Sequence, residues 1–293
     1  MSILLCFGLG YTAERFAARM RDRGWRILGT VRSPEKAARL AARGFEALVF
    51  DGAGPSAAVA AALGDATHVL SSVPPDAAGD PVLRHHGRAL AAAPRLGWLG
   101  YLSTIGVYGD RQGGWVDEAD RPDPSSPRAA ARVAAEAAWL ALGARRGVAA
   151  QVFRLGGIYG PGRNALRSVA DGSARRIVKD GQVFNRIHVD DIACVLEAAV
   201  ERPAAGAVYN VVDDAPSSPE EPILEAARLL GVPLPPPLPF EAADLSPMAR
   251  SFYAGNRRVG NSRIKRELGL TLRYPSVRDG LRALYEAGEG RNG

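Results

Sequence analysis

Cysteine, histidine and lysine are all scarce in this 293-residue chain, and each scarcity excludes something. Two cysteines, Cys6 and Cys194, cannot build a disulfide framework. With the four histidines they form no metal-ligand spacing, and His85 and His86 are helix neighbours that face different ways, so no metal is expected. No apolar run approaches the ~18 residues of a membrane span. The first apolar stretch, 3–9, runs into a glycine turn with no basic flank or cleavage site, so it is not read as a secretory leader. A cytoplasmic protein with no membrane partner is expected. Lysine occurs only as Lys36, Lys179 and Lys265, so the net charge of +6 is carried by arginine. The arginines are scattered and interleaved with acids, without the clustered basic face and aromatics of a nucleic-acid binder. Binding of small anions, not nucleic acid, is the expectation. Apolar residues at 47% and charged residues at 23% match ordinary globular usage, which excludes collagen-like, coiled-coil and disordered chains.

Short apolar runs at 2–7, 25–31, 45–50, 67–70, 98–103 and 148–154 read as buried strands. Between them, 11–23, 34–43, 55–63, 80–93 and 128–144 read as helices, the second opened by Ser33 and Pro34. This alternation predicts an α/β fold, a doubly wound parallel sheet with helices on both faces. Past Gly160 the rhythm breaks. Helices are expected at 190–201, capped by Asp190, and at 218–230, with Ser218 and Glu221 at capping-box spacing. Two more are expected at 262–268 and 276–287, and the proline-rich 232–240 is expected to run extended. The expected organisation is a dinucleotide-binding domain over 1–160, with contributions from about 187–212, and a smaller, mostly substrate-binding part over 161–293.

Gly8-Leu9-Gly10-Tyr11-Thr12-Ala13 lies between the first strand and the first helix. A dinucleotide site needs glycine for the turn and for close approach of backbone to pyrophosphate, then a small residue where helix meets strand. Gly8, Gly10, Tyr11, Thr12 and Ala13 are therefore expected to bind a dinucleotide in a Rossmann arrangement. No carboxylate follows about 20 residues on, where NAD sites hold the ribose. Thr30, Arg32 and Ser33 stand there instead, with Arg32 suited to a 2′-phosphate, so NADP is expected and NAD is second choice. Asp51 is expected at the adenine, and the 71–75 segment, including Val73 and Pro74, beside the adenosine ribose.

From Tyr101 to Gly109 the sequence is YLSTIGVYG, from Arg154 to Gly162 it is RLGGIYGPG, and Ile187 opens IHVDDIA. With Val208-Tyr209-Asn210-Val211 and the closing segment 258–269, these resemble, in order, the extended short-chain dehydrogenase/reductase family of nucleotide-sugar epimerases and dehydratases. The resemblance implies a catalytic role for Thr104, with Ser103, Tyr108, Arg163, Phe184 and Arg186 toward the substrate. It also implies a homodimer paired through the helices at 81–93 and 128–144. Two departures stand out. The loop is G-x-G-x-x-A where extended members have G-x-x-G-x-x-G. The Tyr-x-x-x-Lys pair is missing, and after the 124–127 lead its places fall on Arg128 and Arg132, with Glu136 trailing. A guanidinium carries its proton at any working pH and cannot take up another.

Arg132 is expected to serve the nicotinamide ribose. Arg128 either clamps an anionic group near the nicotinamide or turns to solvent. Tyr108, Asp110 and His188 are the nearest substitutes for the proton carrier, and each has a structural alternative: packing beneath the cofactor, a turn, an ordered core histidine. In the substrate cleft, Phe184 takes the place where the family commonly has arginine, and Arg186 is displaced, which argues against a nucleotide sugar. Two functions follow. One is an NADP-dependent oxidoreductase, epimerase or dehydratase of atypical type acting on a small anionic substrate. The other is a catalytically impaired module that senses NADP(H).

Overall fold

The computed structural model describes residues 1–291. The first half alternates strand and helix: β1 (Ile3–Phe7), α1 (Tyr11–Asp22), β2 (Arg26–Val31), α2 (Pro34–Ala41), β3 (Glu46–Val49), α3 (Ala57–Asp65), β4 (His68–Ser71), α4 (Pro81–Ala92) and β5 (Trp98–Thr104). A short strand β6 (Trp115–Val116) precedes the long α5 (Pro127–Arg146) and β7 (Ala149–Leu155). The remainder is β8 (Gly157–Tyr159), α6 (Ala165–Ala170), β9 (Arg176–Val178), β10 (Arg186–His188), α7 (Val189–Glu201), β11 (Val208–Val211), α8 (Glu221–Leu230), β12 (Pro237–Pro239), α9 (Pro247–Phe252), β13 (Arg258–Val259), α10 (Ser262–Leu268) and α11 (Val277–Glu286).

Seven strands form one sheet in the order β11-β7-β5-β4-β1-β2-β3, parallel throughout. The doubly wound parallel sheet expected from the sequence is therefore the fold. β1 is buried along its whole length, which is why it reads as an unbroken apolar run. Its side chains alternate between two cores: Leu4 and Cys6 pack with Phe16, Met20, Phe153 and Leu196, while Leu5 and Phe7 pack with Val59, Leu63, Leu90 and Trp139. α1 buries Thr12, Ala13, Phe16, Ala17 and Met20 along one stripe and lies against α7. Arg15 bonds Asp190, and Arg19 and Arg23 bond Glu197 across that pair.

Two expected caps are corrected. α7 begins at Val189 and its cap is His188, whose Nδ1 accepts from the Asp190 N–H at 3.2 Å. Asp190 sits in the first turn, free to pair with Arg15. α8 begins at Glu221 rather than 218, and Glu221 pairs with Arg278 instead of closing a capping box with Ser218. The Ser33 cap of α2 forms as expected, accepting from the Lys36 N–H at 3.4 Å.

The strand order reverses between β1 and β4, and in such sheets the ligand crevice opens at the carboxyl ends of the strands on either side. Here those ends carry Gly8–Gly10 and Ser72–Pro74. Among the described residues no helix is long and apolar enough to cross a membrane.

Candidate functional site

Gly8 adopts φ +79°, and a Cβ there would meet Ser72 Oγ at 2.7 Å, so the turn requires glycine on both counts. Gly10 is different. It has ordinary φ, and a Cβ would meet only the Gly8 carbonyl at 3.9 Å, so the protein itself leaves the space above Gly10 open. Gly10 also precedes α1 without any side-chain cap, which leaves first-turn N–H groups without a side-chain acceptor. An open cradle at an uncapped helix start fits a pyrophosphate. Tyr11 spans to the next segment, donating its hydroxyl to the Pro161 carbonyl at 3.1 Å, with the Arg163 guanidinium 5.9 Å from its ring centre.

Thr30 stands near the end of β2 as expected, but its side chain turns inward. It is 1% exposed, and its Oγ1 accepts from the Gly8 N–H at 2.9 Å while its carbonyl accepts from Leu9. Its hydroxyl supports the glycine loop from below and does not face a ribose phosphate. Arg32 is exposed and, among the described residues, pairs with no acid, while Ser33 is committed to its helix. Asp51 is exposed with Oδ1 accepting from the Ala53 N–H, Val73 is half-buried and Pro74 exposed. Arg32, Asp51, Val73 and Pro74 are thus disposed along the rim of the sheet beyond β2, β3 and β4, where the adenosine end of a dinucleotide would lie.

At the end of β5, Thr104 faces the cavity and its Oγ1 accepts from the Gly106 N–H at 3.1 Å. Its neighbour Ser103 points the opposite way. It is 5% exposed and donates to Glu136 Oε1 at 2.5 Å, so the expected substrate contact is corrected. Tyr108 is corrected likewise. It is fully buried, donates to Asn210 Oδ1 at 2.8 Å and accepts from Arg154 Nη1 at 2.9 Å. Burial pushes its phenol up, and Arg154 only partly opposes that. Asp110 binds the Gln112 and Asn256 N–H groups as a turn residue, and those bonds hold its carboxyl down. His188 is buried, lowered to about 4 by desolvation, and its Nε2 has no partner among the described residues.

Arg132 on α5 donates from Nη1 to Tyr101 Oη at 3.0 Å and to the Leu102 carbonyl at 2.9 Å, one turn further in than Arg128. Burial pushes the Tyr101 phenol up to about 12, with Arg132 pulling the other way. Arg128 is exposed at the cavity mouth and makes no ion pair among the described residues. It faces solvent and at the same time stands on the cavity wall.

The cavity itself is about 670 Å³. Arg128, Arg132, Arg163, Arg186 and Arg257 line it, and among the described residues no Asp, Glu, Lys, His or Cys does. Of the residues placed near the substrate by the sequence, Arg163, Phe184 and Arg186 are on this wall; Ser103 and Tyr108 are not. Arg257, Tyr159 and Tyr253 were not singled out from the sequence. Arg257 stands one residue before the recognised closing segment, and the doubled arginine there was its only signal. It reaches the Gly109 carbonyl from a strap that Asn256 fastens, its Oδ1 accepting from Val183 and its N–H bonding Asp110. No cluster of three or more His, Cys, Asp or Glu suited to a metal occurs among the described residues.

The sequence pattern of the NAD dependent epimerase/dehydratase family matches residues 8–212, and the chain belongs to that family. A conserved protein of unknown function from Silicibacter pomeroyi DSS is 49% identical, with a TM-score of 0.88 over 99% of this chain and 100% of that one. A 3-diazoavenalumate denitrifying reductase from Streptomyces is 30% identical over 96% of this chain and 99% of that protein. A Bacillus cereus UDP-glucuronic acid 4-epimerase in complex with NAD shares the fold at 18% identity, with a TM-score of 0.74 over 97% of both chains.

Proposed function

We propose that the chain is a cytoplasmic, NADP(H)-preferring oxidoreductase that moves a hydride to or from a small anionic substrate. The observation that carries this is the cavity wall at the end of β5, with five guanidiniums and no carboxylate among the described residues. NADP(H), when bound, supplies or accepts the hydride. Residues 8–13 hold its pyrophosphate, Arg32 its 2′-phosphate, Asp51 its adenine, and Val73 and Pro74 flank the adenosine ribose. Arg132 serves the nicotinamide ribose. Thr104 already accepts a backbone bond, so its own O–H is free to donate to the reacting group. Arg128 orients the anion and stabilises charge but shuttles no proton. Residues 1–160 with the returning 187–212 form the cofactor half, and 161–293 mostly the substrate half, in a homodimer paired through α4 and α5.

With an arginine where the family has its tyrosine acid, the electrophile must take its proton from water or need none. The name of the Streptomyces relative supports the second kind. In reducing a diazonium group, hydride adds to the aryl–N₂⁺ unit, the carbon–nitrogen bond breaks, dinitrogen leaves, and the aryl C–H results with no proton drawn from the enzyme. The alternative, an NADP(H) sensor, is favoured by Arg128 alone.

Calorimetric titration of nucleotide-free protein with NADPH and NADH tests the reading. NADPH should bind more tightly than NADH, and Arg32→Ala should lose about 1–3 kcal/mol of NADPH binding while sparing NADH. Arg132→Ala should weaken both and Arg128→Ala neither. Binding of neither nucleotide overturns the proposal. Binding of NADPH without turnover of any acidic carbonyl or diazo compound would instead select the sensor.

A further inference from the structure

Arg186 is set into the cavity wall without a counter-charge. It is 9% exposed, its Nη1 donates to Ser217 Oγ at 2.7 Å, and its Nη2 donates to the Ser218 carbonyl at 3.0 Å. Among the described residues no carboxylate lies within ion-pair distance of it. Asp213, the acid whose field it feels most, is itself buried and pushed up to about 8 by that burial, so it is mostly neutral at pH 7. Arg257 faces the same cavity with its Nη1 on the Gly109 carbonyl and a buried Nε that has no partner among the described residues. Burying a guanidinium with neutral partners only is strongly unfavourable, so a wall that buries Arg186 in this way, with the half-buried Arg257 on the same cavity, is built to receive an anion.

The rest of the wall indicates what the anion is attached to. Phe184 and Tyr253 meet edge to face with ring centres 5.0 Å apart, and Phe252, Leu245 and Leu281 extend the apolar surface. A hydroxyl-rich sugar is held best by carboxylate and amide side chains, and among the described residues this wall has no carboxylate. Its one amide, Asn185, is committed at both ends, donating to the Arg257 carbonyl at 2.9 Å and accepting from the Val259 N–H at 2.8 Å. Inorganic phosphate would satisfy the arginines but gain nothing from the aromatic surface.

Resting on the anionic-substrate reading above, we infer that this cavity takes a flat, apolar aryl carboxylate, its carboxylate on Arg186 and Arg257 and its body against Phe184 and Tyr253, and not a nucleotide sugar.

The test is calorimetry of the full chain with cinnamate, its uncharged amide cinnamamide, inorganic phosphate and UDP-glucuronate, each with and without saturating NADPH. Cinnamate should bind at least tenfold more tightly than cinnamamide, phosphate or UDP-glucuronate. Arg186→Met should weaken cinnamate at least tenfold and leave NADPH affinity within twofold. The amide comparison uses the unaltered protein, so it decides the matter even if Arg186→Met fails to fold. Absence of cinnamate binding, equal binding of the amide, or tighter binding of phosphate or UDP-glucuronate overturns the inference. If cinnamate binds as expected but NADPH does not, the oxidoreductase reading fails and the carboxylate site stands.

Discussion

Glu136 on α5 and Arg154 on β7 form a closed ion pair in the interior, with side chains only 5% and 6% exposed and Nη2 2.7 Å from Oε2. Arg154 Nε bonds both carboxylate oxygens, its Nη1 bonds Tyr108, and Ser103 supplies the remaining donor to Oε1. The pair fixes α5 against β7, and through Ser103 against the end of β5, and so sets where Arg128 and Arg132 enter the cavity.

Removing one partner strands the other. Arg154→Met should destabilise the fold by about 3–5 kcal/mol, whereas the double variant Arg154→Met/Glu136→Leu should recover much of that loss. Urea denaturation of the single and double variants checks it, and an additive double variant would show that the two groups do not act as a unit.

The glycine loop should separate folding from binding. Gly10→Ala places a methyl in open space at an ordinary φ, so its melting temperature should stay within a few degrees of the parent. The same methyl fills the pyrophosphate cradle, so NADPH affinity should fall at least tenfold. Gly8→Ala meets both an unfavourable φ and Ser72, and should cost about 1–3 kcal/mol of stability as well. Thermal melts with parallel NADPH titrations read both effects.

Two buried titrating groups should tilt the pH dependence of stability in opposite directions. His188 is lowered to about 4 by desolvation, so on acidification the unfolded chain takes up this proton first, near pH 6.5. Stability present above pH 6.5 is therefore lost progressively down to about pH 4. His188→Asn keeps a capping acceptor for α7 and removes the titration. Relative to wild type it should gain about 1 kcal/mol between pH 7.5 and pH 5, after allowing for partial solvent screening. Asp213 is raised to about 8 by burial, so the unfolded chain releases its proton near pH 4 while the folded chain retains it. Its contribution is lost as pH rises from about 4 to 8, and Asp213→Asn should gain on wild type over that interval. Denaturant titrations at pH 5, 7.5 and 8.5 on the three proteins measure both slopes.

The sheet was legible because its inner strands are buried on both faces and short glycine- or proline-marked turns separate the elements, as with Ile3–Phe7 before Gly8 and Pro34 opening α2. Most element ends shifted by one or two residues, as helix and strand termini do, and the start of α8 by three. The two- and three-residue strands, such as Trp115–Val116 with Arg258–Val259, escaped notice because no periodicity can show in so few residues. The glycine loop is contiguous in sequence and could be read whole. The cavity is not: its wall gathers 104–106, 125–132, 155–165, 183–186 and 249–257, so only the doubled arginine at 257–258 could point to Arg257. Sequence position also put Ser103 and Thr104 together, whereas strand alternation sends one to Glu136 and the other to the cavity. Thr30 sat at the right strand end, but its side chain turned under the loop it was expected to reach past.

Five arginines without a single acid around one opening also shape how fast that opening fills. A cleft lined by one sign of charge and walled by apolar side chains focuses its field outward, raising anion encounter rates by about 10–10³-fold and making capture steeply dependent on ionic strength. Salt would thus slow arrival at this cavity well before it loosened what had already bound, and a buffer anion would be its first competitor.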